Sequence, residues 1–212
     1  VSLHELGDTS MEAVPAWHAS PVLVGIDPAR THDSTVVTVI WVGWDMADEF
    51  GYYPHRILNW LELENEEWEF QYFEIVNFLS NYDVWAIGID GNGMGGPVAE
   101  RLQVLMPNTE VHALSSSTAE QSRRWTHLTE LKNRGLLRWP AHAKTRRLRK
   151  WRRFQTQMLD AEKVYRNGHV LIEAPNEADA HDDYPDSLAI GCVLTKDLAM
   201  AEVEQTSNFL LA

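Results

Sequence analysis

The chain has a single cysteine, Cys192, among its 212 residues. One cysteine excludes a disulfide within the chain, and the apolar sequence around it, AIGCVLT, favours a small buried thiol over a nucleophile or metal ligand. The nine histidines are scattered, and neither C-x-x-C nor H-E-x-x-H spacing occurs, so no zinc site is predicted. The motif G-x-x-x-x-G-K-S/T is also missing, which argues against ATP binding by a P-loop in this segment.

Long apolar runs are absent as well. No stretch is long enough to span a bilayer, and no charged-then-apolar leader opens the chain. We therefore expect a soluble, intracellular protein with no membrane partner. Because the first residue is valine, we also expect a piece of a longer or processed protein.

The composition predicts one compact domain. Hydrophobic residues make up 44% of the chain and nine are tryptophan, which is enough to build a real core at this length. We place the domain at residues 21–197. Residues 1–20 lack clear periodicity and are predicted to be a linker or N-terminal edge, and residues 198–212 a C-terminal tail.

Basic residues are scarce, with 18 Lys and Arg against 31 Asp and Glu and a net charge of −13. That balance argues at first against a nucleic-acid partner. The distribution of the basic residues favours such a partner, because 12 of the 18 fall between Arg123 and Arg153 and seven fall in KTRRLRKWRR. This basic segment (residues 144–153) is either a solvated helix face or a surface for a polyanion. For DNA contact we select Lys144, Arg146, Arg147, Arg149 and Lys150.

Three acidic motifs are far apart in the sequence, and each adjoins an apolar run: VLVGIDPAR, VWAIGIDGNG and HDDYPDSLAIG. Asp27 and Asp90 end β-branched segments, so they can converge at one edge of a sheet. Asp183 and Asp186 are three residues apart at the start of a predicted buried helix, which puts them on one helical face. Asp182 also satisfies helical spacing with Asp186, so helix geometry does not decide whether Asp182 or Asp183 faces the metal.

Clustered carboxylates predict a site for hard divalent cations. Mg²⁺ and Mn²⁺ prefer oxygen ligands, and two ions about 4 Å apart can activate water and stabilise the leaving oxygen of a phosphodiester. Each motif alone has a simpler explanation, since Asp-Pro and Asp-Gly are turn sequences and acids are common at helix N-termini. The three motifs together favour a metal-dependent nuclease.

The periodicity predicts a mixed α/β fold. Strands are expected at 22–27, 34–44 and 55–63, then a helix beginning near 66, a strand at 84–89, a helix at 97–106 and a strand at 109–114. Helices within 119–137 and 145–165, a strand at 169–173 and a helix from about 183 complete the pattern. Three leading antiparallel strands, followed by alternating helices and strands, are expected to give a mixed sheet with helices on its faces.

The motif GNGMGG (91–96) fits the dinucleotide-binding pattern G-x-G-x-x-G between a strand and a helix. We reject that interpretation, because the carboxylate of Asp90 would sit close to the pyrophosphate of the cofactor. A loop that lets a metal or a DNA phosphate approach the backbone explains the glycines better.

From about Pro21 to Lys196 the chain resembles the C-terminal nuclease domain of tailed-bacteriophage terminase large subunits. The motifs GIDPA, IGIDGNGMGGPVAERL and HDDYPDSLAIG carry the resemblance. It implies an RNase H-like, RuvC-related fold with two Mg²⁺ or Mn²⁺ ions. The matching acids are Asp27, Asp90 and Asp183, with Asp186 as the further acid of the last helix.

The resemblance also implies a role and partners. We expect cleavage of concatemeric double-stranded viral DNA during genome packaging in the host cell cytoplasm. The expected partners are DNA, the terminase ATPase domain (missing here), the small terminase subunit and the portal protein. Alternatives are a RuvC-like Holliday-junction resolvase and a non-catalytic DNA-binding or docking module of the motor.

Overall fold

The computed structural model describes residues 2–29, 34–64, 66–91, 93, 95–176 and 180–210, with only the backbone described for residues 4 and 200–210. Five residues of the predicted motifs and tail lie outside this part of the chain: Arg30, Asn92, Met94, Leu211 and Ala212.

Nine strands and five α-helices follow one another along the described residues. The strands are β1 Gly7–Asp8, β2 Trp17–Asp27, β3 Ser34–Val42, β4 His55–Glu64, β5 Tyr82–Asp90, β6 Glu110–Leu114, β7 Leu137–Pro140, β8 Glu162–Arg166 and β9 His169–Glu173. The α-helices are α1 Trp68–Leu79, α2 Gly95–Leu105, α3 Thr118–Asn133, α4 Arg149–Asp160 and α5 Asp183–Leu210. Short 3-10 helices occupy Leu3–Leu6 and Thr145–Arg147.

Seven of the strands form one mixed sheet in the order β1-β7-β4-β3-β2-β5-β6. β2, β3 and β4 are antiparallel neighbours, whereas β5 lies parallel to β2 and β6 parallel to β5. The predicted fold class is therefore confirmed: three leading antiparallel strands, then alternating helices and strands around a mixed sheet.

Helices cover both faces of this sheet because the strands are apolar on both sides. On one face, Leu23 and its neighbours form a core with α3, α4 and α5. On the other, Val22 and Val24 pack with α1 and α2. Alternate residues of β2 thus face different helical layers, as the two-residue period of a strand requires.

The region predicted as helix at 145–165 is more divided than expected. The 3-10 helix ends at Arg147, and the extended backbone of Leu148 (ψ 140°) separates that helix from α4. Residues 162–173 then form a two-stranded hairpin, β8–β9, whose turn is Asn167-Gly168 with φ angles of 53° and 81°. Asn-Gly between two strands is a strong hairpin signal that outweighs the helical pattern assumed there. β1 and β7 are two further strands that were not predicted.

Both predicted ends carry regular structure. Leu6 is fully buried in the core, and β1 pairs with β7, so part of residues 1–20 packs against the sheet. At the other end α5 continues past residue 197 to Leu210. The domain limits at 20/21 and 197/198 stay a prediction. Among the described helices, none combines the length and apolar character needed to cross a membrane.

A backbone contact fixes α5 against the centre of the sheet. A Cβ added at Gly25 of β2 would lie 1.9 Å from the Ser187 carbonyl oxygen and 2.5 Å from the Gly191 nitrogen. A Cβ at Gly191 would lie 2.9 Å from the Gly25 nitrogen. The strand and the helix therefore touch through their main chains, which glycine at both positions makes possible.

We predict that Gly25→Ala lowers the free energy of unfolding by about 3 kcal/mol or more, since neither backbone can give way to the methyl group. Thermal unfolding of the purified chain measures this. Gly96→Ala in α2 is the matched control, because a Cβ there meets nothing within 4 Å. Equal melting temperatures for the two variants would contradict the close contact.

Candidate active site

The first two acidic motifs contain the same tripeptide, Gly-Ile-Asp, at the ends of two neighbouring parallel strands. Gly25 is paired with Gly88 and Ile26 with Ile89, so Asp27 and Asp90 follow at the same level. Adjacent strands lie about 4.8 Å apart. The isoleucines belong to the core under α1 and α2. The glycines and aspartates therefore share the opposite face, on which α5 lies.

The third motif reaches the same place through α5. Asp183 is the first residue of this helix, and Asp186 lies one turn further on. Directly after Asp186, the Ser187 hydroxyl lies 2.7 Å from Thr38 Oγ1. Gln157 of α4 fixes the start of the helix, because its Oε1 accepts a hydrogen bond from the Tyr184 N–H at 2.8 Å. The first turn of α5 is thus held over the ends of β2 and β5.

Two of these acids, Asp27 and Asp186, have a raised pKa. Burial raises the pKa of Asp27 well above its usual range, and the charges of Asp186, Asp183, Asp90 and Asp182 add to that effect. Burial also raises the pKa of Asp186, followed by the charges of Asp182 and Asp90, while Arg124 opposes the rise. The structure therefore brings all four predicted site residues into one electrostatic cluster.

Asp90 is held by two side chains of the following segment. The Ser116 hydroxyl donates a hydrogen bond to Asp90 Oδ1. Arg124 Nη2 of α3 lies 3.8 Å from the same oxygen and donates a hydrogen bond to the Ser115 carbonyl. Sequence reasoning did not identify Ser116 or Arg124. Arg124 lies in QSRRW beside a second arginine, and nothing in that pattern shows which of the two turns inward.

Asp182 and Asp183 have different surroundings. The Asp182 carbonyl accepts the first helical hydrogen bond, from the Asp186 N–H at 2.9 Å, so Asp182 occupies the position that precedes α5. Its side chain accepts a hydrogen bond from the Ala174 N–H at 3.0 Å. Asp183 is buried, with 6% of its surface exposed. These contacts suit Asp182 for fixing the loop before α5.

The donor set fits a hard divalent cation in its chemistry, since all four side chains offer carboxylate oxygens. Burial raises the pKa of Asp27 and Asp186, the charges of neighbouring acids raise it further, and a bound cation would offset those charges. Within the described residues, however, no three His, Cys, Asp or Glu side chains stand close enough together to form a ready-made metal cage.

The basic segment is only partly available for DNA. Arg146 and Arg147 are exposed. Lys144 Nζ lies 3.1 Å from Glu12, and Arg149 Nη2 lies 2.6 Å from Glu64, although both cations are largely exposed. Lys150 points inward.

The ammonium group of Lys150 donates hydrogen bonds to Asn59 Oδ1 at 2.7 Å and to the Trp60 carbonyl at 2.9 Å. Burial lowers the pKa of this lysine. These contacts direct the charge of Lys150 towards β4, and its contact with DNA stays a prediction.

A cleft of about 450 Å³ opens between α4 and the segment that precedes α5. We call it the arginine cleft. Its lining residues are Arg149, Arg152, Arg153, Thr156, Gln157, Asp160, Pro175, Ala180 and His181. Arg153 is partly neutralised by Glu62, at 2.9 Å, and by Glu64. The cleft adjoins the carboxylate cluster, because His181 directly precedes Asp182.

Three solved structures share this architecture. One is the large terminase nuclease of thermophilic phage G20c with bound magnesium, at 18% identity and a TM-score of 0.61 over 82% of this chain and 81% of that one. Another is a mutant nuclease domain of the large terminase subunit of bacterial virus Sf6 with manganese and beta-thujaplicinol, at 9% identity and a TM-score of 0.64 over 90% and 95%. The large terminase of bacteriophage HK97 matches at 9% identity and a TM-score of 0.62, over 87% of this chain and 41% of that one. At these identities the likeness shows a common fold.

These matches show that the domain shares the α/β fold of large terminase nuclease domains. No curated protein sequence matches the chain. The family model for the terminase RNaseH-like domain matches residues 24–191, and the chain belongs to that family. The family predicted from the motifs is thereby confirmed.

We predict that Asp27→Asn and Asp186→Asn stabilise the metal-free domain at neutral pH. A raised folded pKa means that ionisation costs stability as the pH rises above the usual aspartate value of 3.8. The gain in melting temperature should shrink as the pH falls towards that value. Each kcal/mol corresponds to about 2–4 °C at this size.

The measurement is thermal unfolding in EDTA at several pH values, with the exposed Asp83→Asn as control. A stabilisation that does not depend on pH, or one that the control shares, would show that the carboxylates do not repel one another.

Proposed function

We propose that the chain is the endonuclease domain of a packaging motor and cuts concatemeric double-stranded viral DNA with two Mg²⁺ or Mn²⁺ ions. Asp27, Asp90, Asp183 and Asp186 are the proposed ligands. One observation carries the proposal: two Gly-Ile-Asp strand ends in register meet the first turn of α5, so acids from three distant motifs form one cluster.

Each element contributes a defined part of the proposed chemistry. When bound, the metal ions supply an activated water and neutralise charge on the scissile phosphate. Asp27 and Asp90 project from a rigid sheet, which keeps their separation fixed. Asp183 and Asp186 approach from the helix. Asp182, through its bond to Ala174, orients the loop before α5 and keeps the helical acids over the strand ends.

The DNA backbone is proposed to run along the arginine cleft beside the carboxylates. Arg152 is exposed in this cleft, and Arg146 and Arg147 extend the positive surface. Lys144 and Arg149 complete the proposed set, since DNA phosphates can replace their carboxylate partners. Contacts of this kind position the duplex without reading its sequence.

The proposed partners are double-stranded DNA, the terminase ATPase domain, the small terminase subunit and the portal protein, in the host cell cytoplasm. Two findings support this assignment. The family is that of terminase domains, and the chain matches only 41% of the length of the HK97 large terminase. A role as a docking module without catalysis is less well supported, because a buried group of like charges costs stability and a docking surface has no need of it.

We predict that Asp27→Ala and Asp90→Ala abolish nicking of plasmid DNA in Mn²⁺ or Mg²⁺ while the fold is retained. Each change removes a proposed ligand and also relieves repulsion between the acids. Circular dichroism and nicking on the same samples, with EDTA as the metal-free control, measure both effects. Asn substitutions should cost most activity at Asp183, less at Asp186 and least at Asp182.

Near-normal nicking by either alanine variant would remove that residue from the site. A greater loss at Asp182 than at Asp183 would exchange their proposed roles.

We predict that Arg146→Gln with Arg147→Gln weakens DNA binding and reduces the slope of log K against log salt by about 2, because about one counterion is released per phosphate contact. Binding is measured by fluorescence anisotropy across a salt series. The double variant Arg56→Gln with Arg101→Gln has the same net charge and changes exposed arginines outside the basic segment. If both pairs change the slope equally, the segment has no special role in DNA binding.

A further inference from the structure

Arg124 is a buried cation at the edge of the carboxylate cluster. Only 4% of the residue is exposed, in a helix whose neighbouring Trp125 and Leu128 belong to the core. Its guanidinium group donates to the Ser115 carbonyl and lies 3.8 Å from Asp90 Oδ1. A buried arginine is costly unless its partners hold it in a defined geometry. Here those partners are a main-chain carbonyl and a proposed metal ligand.

The preceding residue provides an internal comparison. Arg123 is about one-third exposed, and it pairs with Glu120 at 2.8 Å and with Asp197 at 2.9 Å. These are ordinary ion pairs at the surface of α3 and α5, where solvent screens them. Two adjacent arginines of one helix therefore differ in their surroundings: one links two helices at the surface, and the other points to the acids.

Ser116 acts on the same oxygen from a different element. Its hydroxyl donates to Asp90 Oδ1 from the segment between β6 and α3. A hydroxyl and a guanidinium group that meet one carboxylate oxygen fix the rotation of that carboxylate, in the way that hydrogen-bonded partners orient metal ligands. The main-chain bond from Arg124 to Ser115 ties the two groups together.

We propose that Arg124 and Ser116 are positioning residues that hold Asp90 in its metal-binding orientation. This inference rests on the proposed function, in which Asp90 is a metal ligand. Two opposing effects determine whether Arg124 strengthens or weakens metal binding. The positive charge of Arg124 repels a divalent cation, whereas the fixed orientation of Asp90 favours binding. The inference requires that orientation outweigh repulsion.

The test is the affinity of the 212-residue chain for Mn²⁺ alone, measured by calorimetry without DNA. Arg124→Gln should weaken Mn²⁺ binding about 10-fold, the lower end of the range typical for loss of a group that orients a metal ligand, because its contact with Asp90 is an ion pair at 3.8 Å. Arg124→Lys should recover part of the loss, since it keeps the charge with fewer donors. Ser116→Ala should weaken binding in the same direction, and Arg123→Gln, the matched control, should leave it unchanged.

Activity provides a second measure, because the Mn²⁺ concentration for half-maximal nicking should rise in parallel while the activity at saturating Mn²⁺ falls less. Unchanged or tighter Mn²⁺ binding by Arg124→Gln would overturn the inference and show that Arg124 acts only as a competing cation. If Arg124→Gln does not fold, Ser116→Ala decides, and unchanged binding by that variant would overturn the inference. Failure of the unaltered chain to bind Mn²⁺ would instead refute the proposed metal site itself.

Discussion

The contact between the backbones of β2 and α5 is the constraint on which the rest of the site depends. Gly25 and Gly191 let strand and helix touch without intervening side chains, and Gly88 extends the close approach to β5. An alanine-sized spacer would lift α5 and carry Asp183 and Asp186 away from the sheet. Because the proposed metal site takes carboxylates from the sheet and the helix together, close packing here would serve that site as well as stability.

The molecule places opposite charges side by side at the end of the sheet that carries the acids. Four acids form a cluster whose negative charge the protein only partly compensates. The arginine cleft lies beside them, since it is lined in part by His181, which directly precedes Asp182. Such an arrangement would let a chain with a net charge of −13 bind the proposed polyanionic substrate. In the proposed function the arginines attract the backbone of the duplex, and divalent cations bound by the acids remove the repulsion at the point of cleavage.

Much of the fold and of the acid cluster could be predicted, because both depend on local patterns. Gly-Ile-Asp ends two apolar strands, and the spacing of Asp183 and Asp186 is helical. The rest depends on tertiary contacts. Lys150 turns towards β4 although its neighbours are exposed, and Arg124 turns inward although Arg123 does not. β9 was predicted at its observed bounds, but β8 was missed for another reason, since the Asn-Gly turn that joins the two strands is a local signal that the helical interpretation overlooked.

The alternation of side chains between the two faces of β2 limits how this chain can vary in length. Gly25 and Asp27 share a face because they are two residues apart, so one inserted residue between them would turn the carboxylate towards α1 and α2. The same holds between Gly88 and Asp90. Substitutions along these strands are graded in effect, but a one-residue insertion is all-or-none. Length variation in related sequences should therefore collect in the connections, such as residues 43–54 between β3 and β4, at the end of the sheet opposite the acids.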